Sequence, residues 1–492
     1  MRFTRFVLLW LVIPLDLCAT ACNYSKMTPA NAPPARIFNV RTFGAVGDGK
    51  TKDTVAFQKA LDAAVGSGEV VVPAGNYMIG SIALGSGVTL RLQQDAILTG
   101  SPDADDYPII PVRWEGAETQ GHRALVYAQD AHDVSILGPG GLVGGQGMGL
   151  LRNPRGPVMV ELVNCSNVRL DGFSDRYVRL WSIHLLYCHD VTARNLFIRT
   201  SGGNSDGIDV DSSTDIHIDQ CDIDTGDDCI ALKSGRGMAA VRIARPTEKV
   251  TITNCTLGSS LFADIGVGTE MSGGVRDVQI RHCTLTRGTN GIFIKSRTGR
   301  GGFIENISAD DIDATVRTFL AIELTNHGII GAEPLVGPDA IPAVKDIRIS
   351  HARVKCQNLV NAYRIEAQTP LDGLTLSDIT GACRSAIVLA NIRDARLSGI
   401  NVQGYSGPLI RTQNVTGEGL EHATTLPTTS ASVDEMDQLQ ASFARPQDDT
   451  RPMARWWWFG PAVTHDEPWC KPSVAASIRR ISPTSASRCH RA

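Results

Sequence analysis

From about Val88 to Ile400 the chain repeats one short pattern: Asp or Asn, an aliphatic residue, a polar residue, another aliphatic residue. It stands at Asp133-Val-Ser-Ile, Asn167-Val-Arg-Leu, Asp215-Ile-His-Ile and Asp277-Val-Gln-Ile, and again at Asp346-Ile-Arg-Ile. Lys249-Val-Thr-Ile and Gly373-Leu-Thr-Leu keep the pattern with a different first residue. Alternation of period two marks strands with one buried face, and the Gly, Asn and Asp between them mark turns. Return at solenoid spacing means that each unit buries its apolar face against the next. No helix-length amphipathic segment interrupts the series apart from Asp53 to Val65, near its start. The pattern predicts an all-β chain, a single-stranded right-handed parallel β-helix over residues 37–422, with that N-terminal helix capping one open end.

The cysteines follow the same register. Cys221, Cys255 and Cys283 each fall five residues after the first aliphatic position of a repeat, Ile216, Val250 and Val278. In a parallel solenoid they would form an inward stack of small apolar side chains, and free buried thiols are the simplest reading. No CxxC or His-rich spacing points to a metal, so neither metal nor cofactor is expected.

A second register holds concentrated carboxylates. Asp206 and Asp209 lie in NSDGID, and Asp227 and Asp228 in TGDDC; each segment leads into a short apolar strand. Any one of these aspartates has an ordinary role in a turn. The adjacent pair before a buried strand, with no lysine beside it, is harder to assign to a turn alone. Strands at Ile208-Asp-Val, Ile230-Ala-Leu-Lys233, Ile265-Gly-Val and Ile292-Phe-Ile-Lys295 belong to successive coils. Stacked at roughly 4.8 Å, they would bring Asp206, Asp227 and Asp228 to equivalent places. Like charges so packed cannot all ionise normally, so acid and base roles separate, as hydrolysis of a glycosidic bond requires. Lys233 and Lys295 sit at one offset, three residues after an isoleucine, and Arg297 and Arg300 lie just beyond. Asp264 precedes the third strand at the level of the acids, where it would bind a hydroxyl or serve as a turn residue.

Composition narrows the function classes. The chain has 492 residues, 42% hydrophobic, with Gly 48 and few aromatics (6%), which suits many turns and short strands. A net charge of −4 gives no general case for nucleic acid or an anionic membrane surface. Residues 1–22 read as an export signal: Arg2 and Arg5, an apolar run from Phe6 to Leu15, and small residues before Cys22. The run is too short for a spanning helix. The expected destination is the periplasm or the exterior, and Cys22 after small residues leaves a lipid-modified N-terminus open.

The segments NSDGID (Asn204–Asp209), GDDCIALKSG (Gly226–Gly235), GTEMSGGVRDV (Gly268–Val278) and FIKS (Phe293–Ser296) closely resemble the polygalacturonase family, glycoside hydrolase family 28. FGAVGDGKTKDTVAFQKALDAA and VVVPAGNY resemble the opening segment of the wider pectin-acting β-helix superfamily. The resemblance implies an inverting pectin hydrolase that needs no metal. It implies Asp227 as the general acid, Asp206 and Asp228 as the groups that hold and deprotonate the attacking water, Asn204 as an orienting amide, and Lys295 as a binder of substrate carboxylate. Lys233, Arg297, Phe293 and Asp264 complete the expected substrate-binding set. A monomer is expected, with a pectic polysaccharide or oligosaccharide as partner.

Two departures stand out. The family's Gly-His-Gly before the third strand is Phe262-Ala263-Asp264 here, and its Arg-Ile-Lys is Phe293-Ile294-Lys295. A phenyl ring in place of a guanidinium removes a charge partner and offers a stacking face. Specificity shifted from plain polygalacturonate follows, with rhamnogalacturonan the alternative in the same family. A pectate lyase would need a calcium-binding carboxylate set. A non-catalytic binder would have no use for a carboxylate trio facing an acidic polymer. After Thr412 the pattern fades: 423–450 reads as a linker. Residues 451–492, with Arg451-Pro-Met-Ala-Arg-Trp-Trp-Trp-Phe-Gly-Pro, faintly resemble the truncated start of a second glycosidase domain of the rhamnosidase type.

Overall fold

The residue that opens each repeat adopts a left-handed backbone, and this explains its identity. Asp133, Asn167, Asp215, Asp277 and Asp346 have φ of 55°, 50°, 57°, 56° and 57°. Short polar side chains that bond locally tolerate this region best. Lys249 at φ 53° is the bulky exception. The following aliphatic residues align in one row, Val134, Val168, Val191, Ile216, Val250, Val278, Ile307, Ile347 and Leu374. Two coils in that row, at Asp190-Val-Thr-Ala and Asn306-Ile-Ser-Ala, do not show in the repeat because alanine replaces the second aliphatic residue.

The computed structural model describes residues 36–144, 154–178, 180–325, 327–328 and 334–426. It is a parallel β-helix. A typical coil contributes three short strands, such as Ile183–Leu186, His189–Arg194 and Phe197–Arg199, and each pairs in parallel with its counterpart one coil on. The ladders join 31 strands. Inward rows of Ile, Val and Leu fill the interior, and each such side chain removed from water contributes about 1.5–3 kcal/mol.

The helix Thr54–Ala64 seals the first coils with Ala56, Phe57, Ala60, Leu61 and Ala64 buried, the 3.6-residue spacing of one apolar face. Asp53, just before it, accepts the N–H groups of Val46 and Gly47 at 2.7 and 2.9 Å, tying the helix to the opening loop. A second, seven-residue helix, Gly237–Ile243, sits in an inserted loop.

Cys221, Cys255 and Cys283 are buried free thiols in one row, as expected, and Cys165 and Cys188 form a second stack. At the far end Thr424–Thr425 pairs in parallel with Arg411 and Thr412, so the solenoid runs slightly past 422 and takes in the first residues assigned to a linker. The expected export signal, Cys22 and the tail 451–492 lie outside the described residues. No described helix is long and apolar enough to cross a membrane.

Candidate active site

The chemistry lies on the outer face of one sheet. Its strands Val126–Gln129, Val160–Val163, Ile183–Leu186, Ile208–Asp211, Ile230–Lys233, Ala263–Val267 and Asn290–Lys295 stack in register. Val126, Val160, Ile183, Ile208, Ile230, Ile265 and Ile292 point inward, so the next residues form an outward row: Tyr127, Glu161, His184, Asp209, Ala231, Gly266 and Phe293.

Asp206 and Asp228 each stand two residues before aligned isoleucines, Ile208 and Ile230. Gly207 N–H donates to the Asp228 carbonyl at 2.9 Å, so the two turns run side by side. One oxygen from each of Asp206, Asp227 and Asp228 lies within 4.8 Å of the others. The spacing would also suit a cation, but lysines already supply positive charge to two of the three. Lys233 Nζ lies 3.1 Å from Asp206 and 2.5 Å from Asp209, and Lys295 Nζ donates to Asp228 Oδ2 at 2.6 Å. Asp228 Oδ1 accepts the Ala263 N–H at 3.1 Å, so both its oxygens act as acceptors.

Asp227 differs. It is the part-exposed member of the trio, and among the described residues no ion pair reaches it. Its Oδ2 accepts the backbone N–H of Asn204 at 2.9 Å and its Oδ1 that of Asp228 at 3.0 Å. Burial, then the charges of Asp206 and Asp228, raise its pKa to about 7. Burial with Asp209 and Asp228 lifts Asp206 well above the carboxylate range against the pull of Lys233, and burial lifts Asp209 to about 7. Four carboxylates therefore face two ammonium groups, and the cluster retains protons near neutral pH as one coupled system.

The expected residues fall into two groups. Asn204 contributes its backbone N–H, presented by a left-handed turn at φ 59°. Lys295 borders the cleft with its ammonium 5.7 and 5.5 Å from the rings of Phe262 and Phe293. Phe293 meets His327 edge-on at 5.0 Å. Arg297 is half-buried and donates to the Gly328 carbonyl.

Asp264 requires a correction. It is fully buried and its Oδ1 accepts the Ser259 N–H at 2.7 Å, because it aligns with inward Cys229 rather than with Asp228; it offers substrate no surface and shapes a turn. Lys233, as buried as Lys295 (5% and 6% exposed), pairs with Asp206 and Asp209 and differs in lying beneath Trp181, whose ring is 4.0 Å from its Nζ. Arg300, 1% exposed, is not a groove cation.

Asp209, Trp181, His327 and Tyr363 were not singled out as site residues. Asp209 had a signal, since it occupies the outward position of the Ile208-Asp-Val strand. Trp181 and His327 come from loops outside the repeat, and Tyr363 stands near the end of a solenoid strand, Ala343–Arg364. On one side of the trio, Phe262, Phe293, His327, Asn361, Tyr363 and Arg364 line a cleft of about 330 Å³.

The sequence model "Glycosyl hydrolases family 28" matches residues 63–318. A "Probable polygalacturonase" of Vitis vinifera is 31% identical over 361 residues, covering 69% of this chain and 72% of that one. The structure of a hyperthermoactive exopolygalacturonase from Thermotoga maritima superposes with a TM-score of 0.62 at 24% identity, over 80% of this chain and 92% of that one. A polygalacturonase from Erwinia carotovora ssp. carotovora gives 0.59 at 19% identity, over 82% and 99%. At these identities the structural likeness speaks for the β-helix fold.

Proposed function

The chain belongs to family 28 of the glycosyl hydrolases, and from that premise we propose that it hydrolyses the galacturonan bonds of pectin after export from the cytoplasm. The observation that carries the reading is the asymmetry of the trio: two aspartates on lysines, and between them Asp227, part-exposed and lifted to about 7. A carboxyl that keeps its proton near neutral pH while remaining accessible is suited to protonate the leaving glycosidic oxygen. Asp228, accepting on both oxygens, is the base for the attacking water, and Asp206 orients that water. Lys295 also offers a positive point charge toward a uronate carboxylate.

Next to the acids, Phe293 supplies an apolar floor, while Phe262 and Tyr363, 37% and 46% exposed, stand at the rim. We assign this aromatic subsite to the face of a sugar ring, and with it a specificity shifted from plain polygalacturonate. Phe293→Arg is expected to improve turnover of smooth polygalacturonate relative to wild type, and an unaffected rate argues against the shift.

The direct test incubates the purified protein with polygalacturonate and, separately, rhamnogalacturonan backbone in the presence of chelator, alongside Asp227→Asn. Reducing ends from polygalacturonate, lost in the variant, support the reading; reducing ends from rhamnogalacturonan alone move the substrate within the family. A calcium requirement with an ultraviolet-absorbing product indicates a lyase, and no product from either polymer indicates a binding module. Following the anomers by proton NMR tests the inversion that the family implies. The test matters because the trio's oxygens, within 4.8 Å, lie closer than the roughly 6.5–9.5 Å common between the carboxyls of inverting enzymes.

A further inference from the structure

Among the described residues, the outer face of the sheet is roofed on one side of the trio. The antiparallel hairpin of Ile109–Trp114 and Ala117–His122 leaves the solenoid just before the strand Val126–Gln129. Its Arg113 nevertheless pairs with Asp211 at 2.9 Å and donates to Ser212 at 3.0 Å, at the far end of the strand Ile208–Asp211. Its tip reaches further, where the Gly116 carbonyl accepts the Arg236 N–H at 3.0 Å, beyond the strand Ile230–Lys233. The hairpin thus crosses the outer face from the leading to the trailing ends of the strands.

Under it the face is packed solid. Trp181 stands edge-on over His184 at 4.9 Å, and Trp114 lies on Trp181 at 4.5 Å. Arg155 pairs with Glu161 at 3.3 Å, and Glu161 contacts His184 at 3.0 Å. Glu161, His184 and Asp209 are each 1% exposed or less. The barrier is anchored by ion pairs removed from water, with Arg113 2% exposed and Asp211 fully buried, so breaking it would strand a buried charge. Trp181 reaches Lys233, itself bonded to Asp206, so the wall stands about one strand spacing from the trio. The cleft of Phe262, Phe293 and Tyr363 lies on the opposite side.

We propose that this blind-ended groove makes the protein exo-acting: it admits a chain end against the Trp181–Trp114 wall and releases one small product per cleavage. A polymer threaded through mid-chain would have to occupy space filled by the two tryptophans and Arg113. The inference rests on the pectin-hydrolase reading above.

The test uses the wild-type protein on polygalacturonate, following reducing ends, viscosity and product sizes together at low conversion. A single small product from the earliest time points, with viscosity nearly constant as reducing ends accumulate, is expected. A ladder of oligomers with early collapse of viscosity overturns exo action while leaving hydrolysis intact, and no reducing ends at all overturns both. A variant with residues 112–119 replaced by Gly-Asn-Gly, its fold checked by circular dichroism, is expected to add longer oligomers; a folded variant that still yields the single product overturns the hairpin as the barrier.

Discussion

Lys295 donates to Asp228 at 2.6 Å from two coils away, while Asp227, the next residue back in the chain, receives only backbone N–H groups. Adjacent carboxyls thus receive different partners from the coils stacked on them. Asp227→Asn is expected to lower kcat by about 10²–10⁴-fold, the usual contribution of a positioned acid, with KM and melting temperature little changed. Comparable losses in KM and stability would instead make Asp227 a structural residue.

The same asymmetry sets the pH response. With Asp227 lifted to about 7, the acid is present below that pH and lost above it, so kcat should fall as pH rises through about 7. In Asp227→Asn the residual rate should lose that alkaline limb. A wild-type profile flat from pH 6 to 9 would reassign the acid.

Gly266 is the space that the site needs. A Cβ there would come 2.3 Å from Asp228 Oδ2 and 2.8 Å from its Cγ. Gly266→Ala is therefore expected to push Asp228 off Lys295 and to cost about 100-fold in kcat, the scale of a displacement near 1 Å at a reacting group. Circular dichroism should stay unchanged.

Lys233 is shared between Asp206 and Asp209, its side chain 7% exposed. Lys233→Met would leave two buried carboxyls without their counter-ion, and a loss of about 3–5 kcal/mol in denaturant unfolding is expected. A change below about 1 kcal/mol would mean that water reaches the pair.

What could be seen in the chain was whatever repeats. Asp133, Asn167 and Asp215 announced the turns because a left-handed backbone restricts the residue types allowed, and the aliphatic rows announced the coil. The trio was visible because Asp206 and Asp228 keep register with their isoleucines. Asp264 misled because the strand begins earlier than the repeat suggests, at Ala263, and Asp264 within it aligns with inward Cys229 rather than with the acids. The hairpin with Arg113 and Trp114, and the loop residue Trp181, were invisible for the opposite reason. They reach the sheet through tertiary packing between segments far apart in the chain, as in the contact of Arg113 with Asp211, which no local period encodes.

One buried acid serves no contact in the site. Asp175 lies in the interior row between Leu142 and Ile198, fully buried, and burial raises its pKa to about 8. Unfolded, it would titrate near 3.9. Between those values the folded state binds more protons than the unfolded one, so the contribution of Asp175 to stability declines as pH rises, by about 1.4 kcal/mol per unit. Below about pH 4 both states hold the proton and the residue costs little. Asp175→Asn removes the titration while keeping the shape. The variant should match wild type in unfolding free energy near pH 4 and exceed it increasingly toward pH 8, in urea titrations at both values. An equal difference at both pH values would mean that Asp175 stays ionised through a partner brought in by water.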